Sequence, residues 1–229
     1  MVCVFAVLST GLSCGREPHD LDHMGATNRV VLPAPDTMGS MPLEQTVQQR
    51  RSVRSFTDQP ISLEHLSQLA WSAQGITDPQ REYRAAPSAG ATYPLELLLV
   101  VGSAAELKPG VYRYDPVDHT LTLLIGGDDR AALAEAALGQ SFIAEAPVVI
   151  VYTGVLARTA RRYGDRAERY VWMEVGHAAQ NVSLQAVSLG LGSVVVGAFH
   201  DDSVANLLNL SAGERPLYIQ PVGHLRAVP

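Results

Sequence analysis

Three short stretches of this chain hold residues whose type and spacing suit chemistry. The first is Arg50-Arg51-Ser52-Val53-Arg54-Ser55-Phe56, which places three guanidiniums within five residues beside serine hydroxyls. Each guanidinium can give two parallel charge-assisted bonds, so the group can receive a phosphate dianion. The same residues can equally form a solvated basic face at a helix C-terminus, where the dipole favours cations. The second stretch is Ala86-Pro87-Ser88-Ala89-Gly90-Ala91-Thr92-Tyr93-Pro94. Its small side chains let a flat molecule approach backbone N–H groups, or they simply form a tight loop feeding a strand. The third runs from Leu189 to Phe199 (LGLGSVVVGAF). Its glycines are not spaced as G-x-G-x-x-G, and it leaves a helix to enter a strand, the reverse of a dinucleotide fingerprint. A Rossmann site is not supported, and Gly190 and Gly192 can be read as ending the helix.

These stretches need elements to position them. Helical spacing covers Leu43–Arg51 and Ser62–Gln74, the second opened by Ser62, while LELLLVV at Leu95–Val101 and PVVIVYT at Pro147–Thr153 read as buried strands. Val111–Tyr114 and Thr120–Leu124 read as a hairpin, Asp128–Leu138 as an Ala-rich helix, and Val194–Phe199 and Pro216–Gly223 as late strands around a helix at Asp201–Leu208. Arg166–Gly190 is the longest helical stretch and is apolar nearly all round. Such a helix belongs at the centre of the fold or at a dimer seam.

The chain has 229 residues, 47% hydrophobic and 17% charged, enough for one large domain with a buried core. A net charge of −6 argues against nucleic acid as a partner. Lys108 is the sole lysine and sits in ELKPG, so no phosphate loop of the G-x-x-x-x-G-K-[ST] type exists. Cys3 and Cys14 are the only cysteines, which leaves the body without ligands for zinc–thiolate or iron–sulfur sites. Glu174 and His177 lie three apart on the long helix, a spacing known from metal-binding bundles, but no second pair accompanies them and no metal is expected. Trp71 and Trp172 are read as packing residues.

Residues 1–14 contain an apolar run, MVCVFAVLSTGL, too short to span a bilayer and followed by Ser13-Cys14-Gly15. It resembles an export signal with a bacterial lipoprotein cleavage site, in which Cys14 would become a lipidated membrane tether at the cell envelope. No Lys or Arg precedes the run, and a frayed tail on a cytoplasmic protein is the other reading. Residues 15–42 mix Pro, Gly and charge without period and read as a flexible tether, so the domain is expected over 43–229.

Taken together, R-R-S-x-R-x-F, A-P-S-A-G-A-x-Y-P-L-E, E-x-G-H-x-A-Q-N, L-G-L-G-x-V-x-V-G-A-F and P-L-Y-x-x-P-V-G, in this order over about 43–226, resemble the flavin-dependent nitroreductase family. Within it they are similar to the SagB-type, or thiazole/oxazole-forming dehydrogenase, branch. The resemblance implies a homodimeric α+β fold, with a central mixed β-sheet flanked by helices and FMN bound at the subunit interface. Arg50, Arg51, Ser52 and Arg54 would hold the phosphate and ribityl chain, with Arg54 reaching toward the pyrimidine edge of the ring. Pro87, Ser88, Ala89 and Gly90 of the other subunit would lie along the isoalloxazine. Val195, Val196, Gly197 and Ala198 would offer backbone N–H groups near N5, and Arg226 would close on the phosphate. Many nitroreductases carry Pro and Glu where Val195 and Gly197 stand.

The implied activity is ping-pong hydride transfer through flavin N5. The donor would be a species such as NAD(P)H, and the acceptor a nitroaromatic, a quinone or an azoline on a modified peptide. Azoline-oxidising members would carry a Lys-Tyr pair before the long helix. Here Arg162-Tyr163 stands there, and arginine does not serve as a base near neutral pH. Tyr163 remains the candidate catalytic proton donor or acceptor, with packing at the helix start as its other reading. A non-catalytic flavin-binding or scaffold subunit of a peptide-modifying complex is the alternative.

Overall fold

Two aliphatic runs, Leu95–Val101 and Val148–Val155, lie side by side and leave almost none of their surface to water. A computed structural model describes residues 28–226 around them; the apolar run and Cys14 lie outside those residues. In chain order the elements begin with β1 (Arg29–Val31), α1 (Leu43–Gln49) and α2 (Leu63–Gln74). A short pair follows, β2 (Ile76–Asp78) and β3 (Tyr83–Arg84), then β4 (Leu95–Val101), β5 (Gly110–Asp115) and β6 (Thr120–Gly126). Next come α3 (Arg130–Ala136), α4 (Phe142–Glu145), β7 (Val148–Val155), α5 (Leu156–Tyr163) and α6 (Ala167–Ser188). The chain finishes with β8 (Leu191–Ser193), α7 (Asp201–Leu207) and β9 (Glu214–His224).

Seven strands form one sheet in the order β1-β6-β5-β4-β7-β9-β8. The fold is α+β, as expected, but the sheet is not mixed: every pair of neighbours within it is antiparallel. The connections explain this, because each neighbouring strand is entered from the end at which its partner finishes, and a parallel pair would need a crossover. Side chains alternate across the sheet. Leu97, Leu99, Ile150 and Tyr152 pack under α2 and α6, whereas Leu98, Val100, Val149 and Val151 pack under α3, α4 and α7. Each buried aliphatic side chain contributes about 1.5–3 kcal/mol of transfer free energy.

Ser62 caps α2 through its Oγ, which accepts from the His65 N–H at 3.2 Å. Helix α6 turns Val171, Val175, Ala178, Val182 and Ala186 onto the sheet, a spacing of three and four. Its outer face leaves Trp172 and Met173 about half exposed, at 48% and 53%, so Trp172 is not packed within one chain. Among the described residues no helix is long and apolar enough to cross a membrane.

Two further expectations change. The tether reading fails over 28–42: β1 pairs with β6, Leu32 is buried, and the Asp36 backbone exchanges hydrogen bonds with the Gln68 carboxamide of α2. The β6 edge supplies the order that local periodicity does not. The expected strand at Val194–Phe199 is instead β8 at Leu191–Ser193, followed by a single bridge from Val196 to Ile219.

On β9, Gln220 is fully buried and joins four elements. Its Oε1 accepts from the Tyr152 hydroxyl at 2.6 Å, and its Nε2 donates to Ser183 Oγ at 3.0 Å and Ser193 Oγ at 3.2 Å. Gln220→Leu leaves the fully buried Tyr152 hydroxyl without its acceptor and takes a donor away from Ser183 and Ser193. The expected loss is about 1–3 kcal/mol in urea unfolding with an unchanged m-value.

Candidate functional site

The site starts where α1 stops. Arg50 closes the helix by giving its N–H to the Thr46 carbonyl at 2.9 Å, and the chain then extends alongside the end of β8. Ser52 bridges Ser193 in parallel, and the Val53 N–H donates to the Ser193 carbonyl at 3.0 Å. Gly192 is required by this approach, since a Cβ there would stand 2.8 Å from Val53 Cβ. The first and third sequence stretches therefore meet. Arg50, Ser52, Val194, Val195, Gln180 and Tyr218 line one cavity of about 140 Å³.

The arginines of this segment differ in their freedom. Arg51 gives Nη1 to the carbonyls of Gln48 and Arg50, both at 2.8 Å, and so serves the C-terminus of α1. Arg54 holds its guanidinium 5.8 Å from the Phe142 ring centroid. Among the described residues none of Arg50, Arg51 and Arg54 pairs with a carboxylate. Arg226 lies beside the same segment, with its guanidinium on the Phe56 carbonyl at 2.6 and 3.0 Å.

The backbone after β8 sorts its own donors. The Val196 N–H is taken by the Ile219 carbonyl at 2.7 Å, while among the described residues those of Val195 and Gly197 have no partner. Gly197 keeps open the space beside the Tyr218 ring, 3.4 Å from where its Cβ would be. Ala198 turns its carbonyl to Gln140 Nε2 at 3.0 Å.

The second stretch stands elsewhere within the chain. Gly90 and Ala91 adopt positive φ angles of 58° and 52°, and the Ser88 Oγ accepts from the Tyr93 N–H at 3.0 Å across the turn. A Cβ on Gly90 would lie 2.6 Å from the Tyr163 hydroxyl, and Arg162 Nη1 donates to the Gly90 carbonyl at 3.2 Å. Thus Pro87–Gly90 and Tyr163 are together, but they do not line the Arg50 cavity of the same chain. Three contributors escaped sequence reasoning: Tyr218, Gln220 and, as anything but a metal ligand, Glu174. Tyr218 and Gln220 share one face of β9, a two-residue period that the sequence does carry.

Glu174 is only 2% exposed, whereas His177 one turn later faces solvent, so the two do not share an environment. Burial pushes the Glu174 carboxyl up to about 7, opposed by the nearby Ser88 hydroxyl and Arg84 guanidinium. The unfolded chain ionises this group near its ordinary 4.5, so the folded state loses stability as pH rises from about 4.5 to about 7 and no further above that. Glu174→Gln is expected to remove that slope. The gain relative to wild type at pH 8 should approach about 3 kcal/mol, read by thermal unfolding across pH.

Comparison with known proteins follows the same lines. The family model described as "Nitroreductase family" matches residues 47–224. MJ1384 of Methanocaldococcus jannaschii, provisionally named a nitroreductase, is 44% identical over 200 residues, covering 87% of this chain and 98% of that protein. A crystal structure from Ralstonia eutropha, described under the same provisional family name, superposes with a TM-score of 0.78 at 32% identity, covering 88% of this chain and 91% of the other. The microcin B17-processing protein McbC of Escherichia coli is 28% identical over 169 residues, covering 71% of this chain and 62% of McbC. With the family model spanning most of the molecule and a relative 44% identical over nearly its whole length, this chain belongs to the nitroreductase family.

Proposed function

We propose that the protein is an FMN-dependent oxidoreductase that works as a homodimer and passes a hydride from a donor such as NAD(P)H to an organic acceptor. One observation carries this reading. Arg50 and Ser52 share a cavity with Val195, beside backbone N–H groups that have no internal partner, and no described carboxylate neutralises the arginines. A phosphorylated, electron-accepting ring needs cations for its phosphate and fixed donors for the charge it gains. The donor set fits that group.

Arg50, Ser52 and Arg54 hold the phosphate end, with Arg51 and Arg226 close by but committed to backbone carbonyls. Of the four residues from Val195 to Ala198, Val195 and Gly197 supply the free N–H groups along the ring edge, and Val196 fixes their position through Ile219. When bound, FMN supplies two-electron hydride transfer between two substrates that enter in turn.

A cavity of about 140 Å³ is smaller than the ~300–1,000 Å³ of a typical ligand site, so a second copy completes it. Leu43 and Val47 of α1 and Trp172 and Met173 of α6 are exposed apolar residues on adjoining helices that a second copy would cover. Pro87, Ser88, Ala89 and Gly90 then come from that copy, together with Tyr163, which orients substrate or exchanges a proton. Arg162 holds the Gly90 carbonyl rather than acting as a base. This favours reduction of an acceptor over the peptide dehydrogenation that a Lys-Tyr pair would serve. McbC is named for peptide processing, and a modified peptide is the second acceptor class to screen.

The purified protein is expected to be yellow and to bleach on adding NADPH under nitrogen. The double variant R50A/R54A should retain less than about a tenth of the flavin. Its circular dichroism should stay native, because each partly exposed arginine adds under about 1 kcal/mol to folding. Stoichiometric FMN in that variant would refute the phosphate assignment. Met173→Glu buries a charge at the proposed seam, so sedimentation should report a monomer with weakened FMN binding; a flavin-loaded dimer would move the seam elsewhere.

A further inference from the structure

The turn from Ser88 to Tyr93 holds a conformation that its own residues resist. Gly90, Ala91 and Tyr93 all stand at positive φ, at 58°, 52° and 43°. Glycine takes that region freely, but alanine and tyrosine bring Cβ against their own backbone there, so something outside the turn has to hold it. Inside the turn, the Ala91 N–H donates to the Ser88 carbonyl at 3.1 Å, and the Thr92 N–H and Oγ1 donate to the Ala89 carbonyl at 3.3 and 3.0 Å. The N–H groups of Ser88, Ala89 and Gly90 have no partner among the described residues.

The outside support comes from α5. Just before the helix starts, the Val155 N–H donates to the Pro94 carbonyl at 2.8 Å. Arg158 Nη1 donates to the Tyr93 carbonyl at 3.0 Å, and Arg162 Nη1, one helical turn later, donates to the Gly90 carbonyl at 3.2 Å. Between them Thr159, only 1% exposed, lies 2.9 Å from Thr92 Oγ1. Thr92 has already given its one proton to Ala89, so Thr159 is the donor. The helical period brings 158, 159 and 162 to one side, where they grip backbone and hydroxyl instead of an apolar core. Arg158 is tied in turn to the sheet. Its Nη2 pairs with Glu96 of β4, which also takes Arg113 Nη1 of β5 at 3.2 Å. Arg113 Nη2 reaches Glu214 of β9 at 3.1 Å, and Glu214 accepts from the Thr153 hydroxyl of β7. This row grows drier inward, from 41% exposure of the Arg158 side chain to 4% for Glu214. Without Arg158, Glu96 still has Arg113, but the Tyr93 carbonyl loses its donor.

We infer that Arg158 and Thr159 are positioning residues that clasp the turn from Ser88 to Tyr93 in the shape that offers its free N–H groups to the ligand held by a second copy. This rests on the flavin reading above, in which Pro87 to Gly90 lie along the ring bound by the other subunit. A turn released by α5 relaxes Ala91 and Tyr93 toward negative φ and moves the Ser88, Ala89 and Gly90 N–H groups with them. The other copy's site then loses a wall, while each chain keeps its sheet.

The test compares the full-length protein with Arg158→Met, Thr159→Val and Thr159→Ser. Four quantities are read on each purified protein: amide hydrogen exchange over residues 88–94, the FMN dissociation constant, the absorption spectrum of the bound flavin, and the thermal midpoint. Arg158→Met and Thr159→Val should each speed exchange of the Ala91, Thr92 and Tyr93 amides about tenfold. Both should weaken FMN binding about tenfold and shift the flavin absorption band, a signature that a loss of stability alone does not produce. Arg158→Met should keep its midpoint within about 3 °C of wild type, because an ion pair this exposed adds little to folding. Thr159→Ser keeps the hydroxyl and should stay within about twofold of wild type in exchange and FMN affinity. Wild-type exchange over 91–93 in Arg158→Met overturns the clasp, and does so even if Thr159→Val fails to fold. Faster exchange with wild-type FMN affinity and spectrum overturns the positioning role. Wild-type protein that takes up no FMN overturns the flavin reading itself, and the exchange rates of Arg158→Met still judge the clasp.

Discussion

One carboxamide ties the charged segment of this protein to its sheet. Gln220 takes the Tyr152 hydroxyl on one side and supplies Ser183 and Ser193 on the other, and Ser193 in turn receives the Val53 N–H. The strand beneath, the long helix above and the loop that carries Arg50 to Arg54 are thereby held in one register. In an interior of low dielectric such a network is strong when complete and costly when broken, so it behaves as a unit. The position of the arginines relative to Val195 is a property of the core, not of a flexible surface loop.

What the sequence disclosed and what it withheld follow from the range of the forces involved. The two central strands were legible because both their faces are buried and the aliphatic runs are unbroken. Helix α2 announced itself through Ser62, and α6 through its length. Helix α5 did not, since LARTARRY buries only Thr159 and presents its arginines outward. Strand β1 was illegible for another reason: three residues among prolines and glycines have no pattern, and only the β6 edge makes them a strand. At the site, the pairing of Arg50 and Ser52 with Val195 could be expected from the motifs in order. Which N–H groups are free could not, because that depends on how Val196 meets β9, a contact across more than twenty residues. The spacing of Glu174 and His177 did not show that the carboxyl is buried while the imidazole faces solvent.

Arginine takes nearly every basic position in this acidic chain, and the structure uses its several donors in two ways. Arg51 and Arg226 satisfy backbone carbonyls and so build the segment, while Arg50 and Arg54 pair with no carboxylate among the described residues. A lysine could supply the charge of either role but not the fixed forked geometry. The fold itself is shared by members that act on different molecules, and a family assignment does not choose among them. Arg162, held on the Gly90 carbonyl, is the local feature that most restricts the chemistry available beside Tyr163.

The strap formed by β1 has a practical side. It covers the outer edge of the β5–β6 hairpin, with Arg29 paired to Asp118 and Leu32 sunk against the core. A recombinant boundary drawn at Leu43, where the helical pattern begins, would bare the backbone groups of β6 and an apolar groove beneath them. Uncovered edges of that kind recruit strands from neighbouring molecules. Shortened forms beginning there are candidates for self-association through their sheets, an assembly unrelated to any pairing through α6.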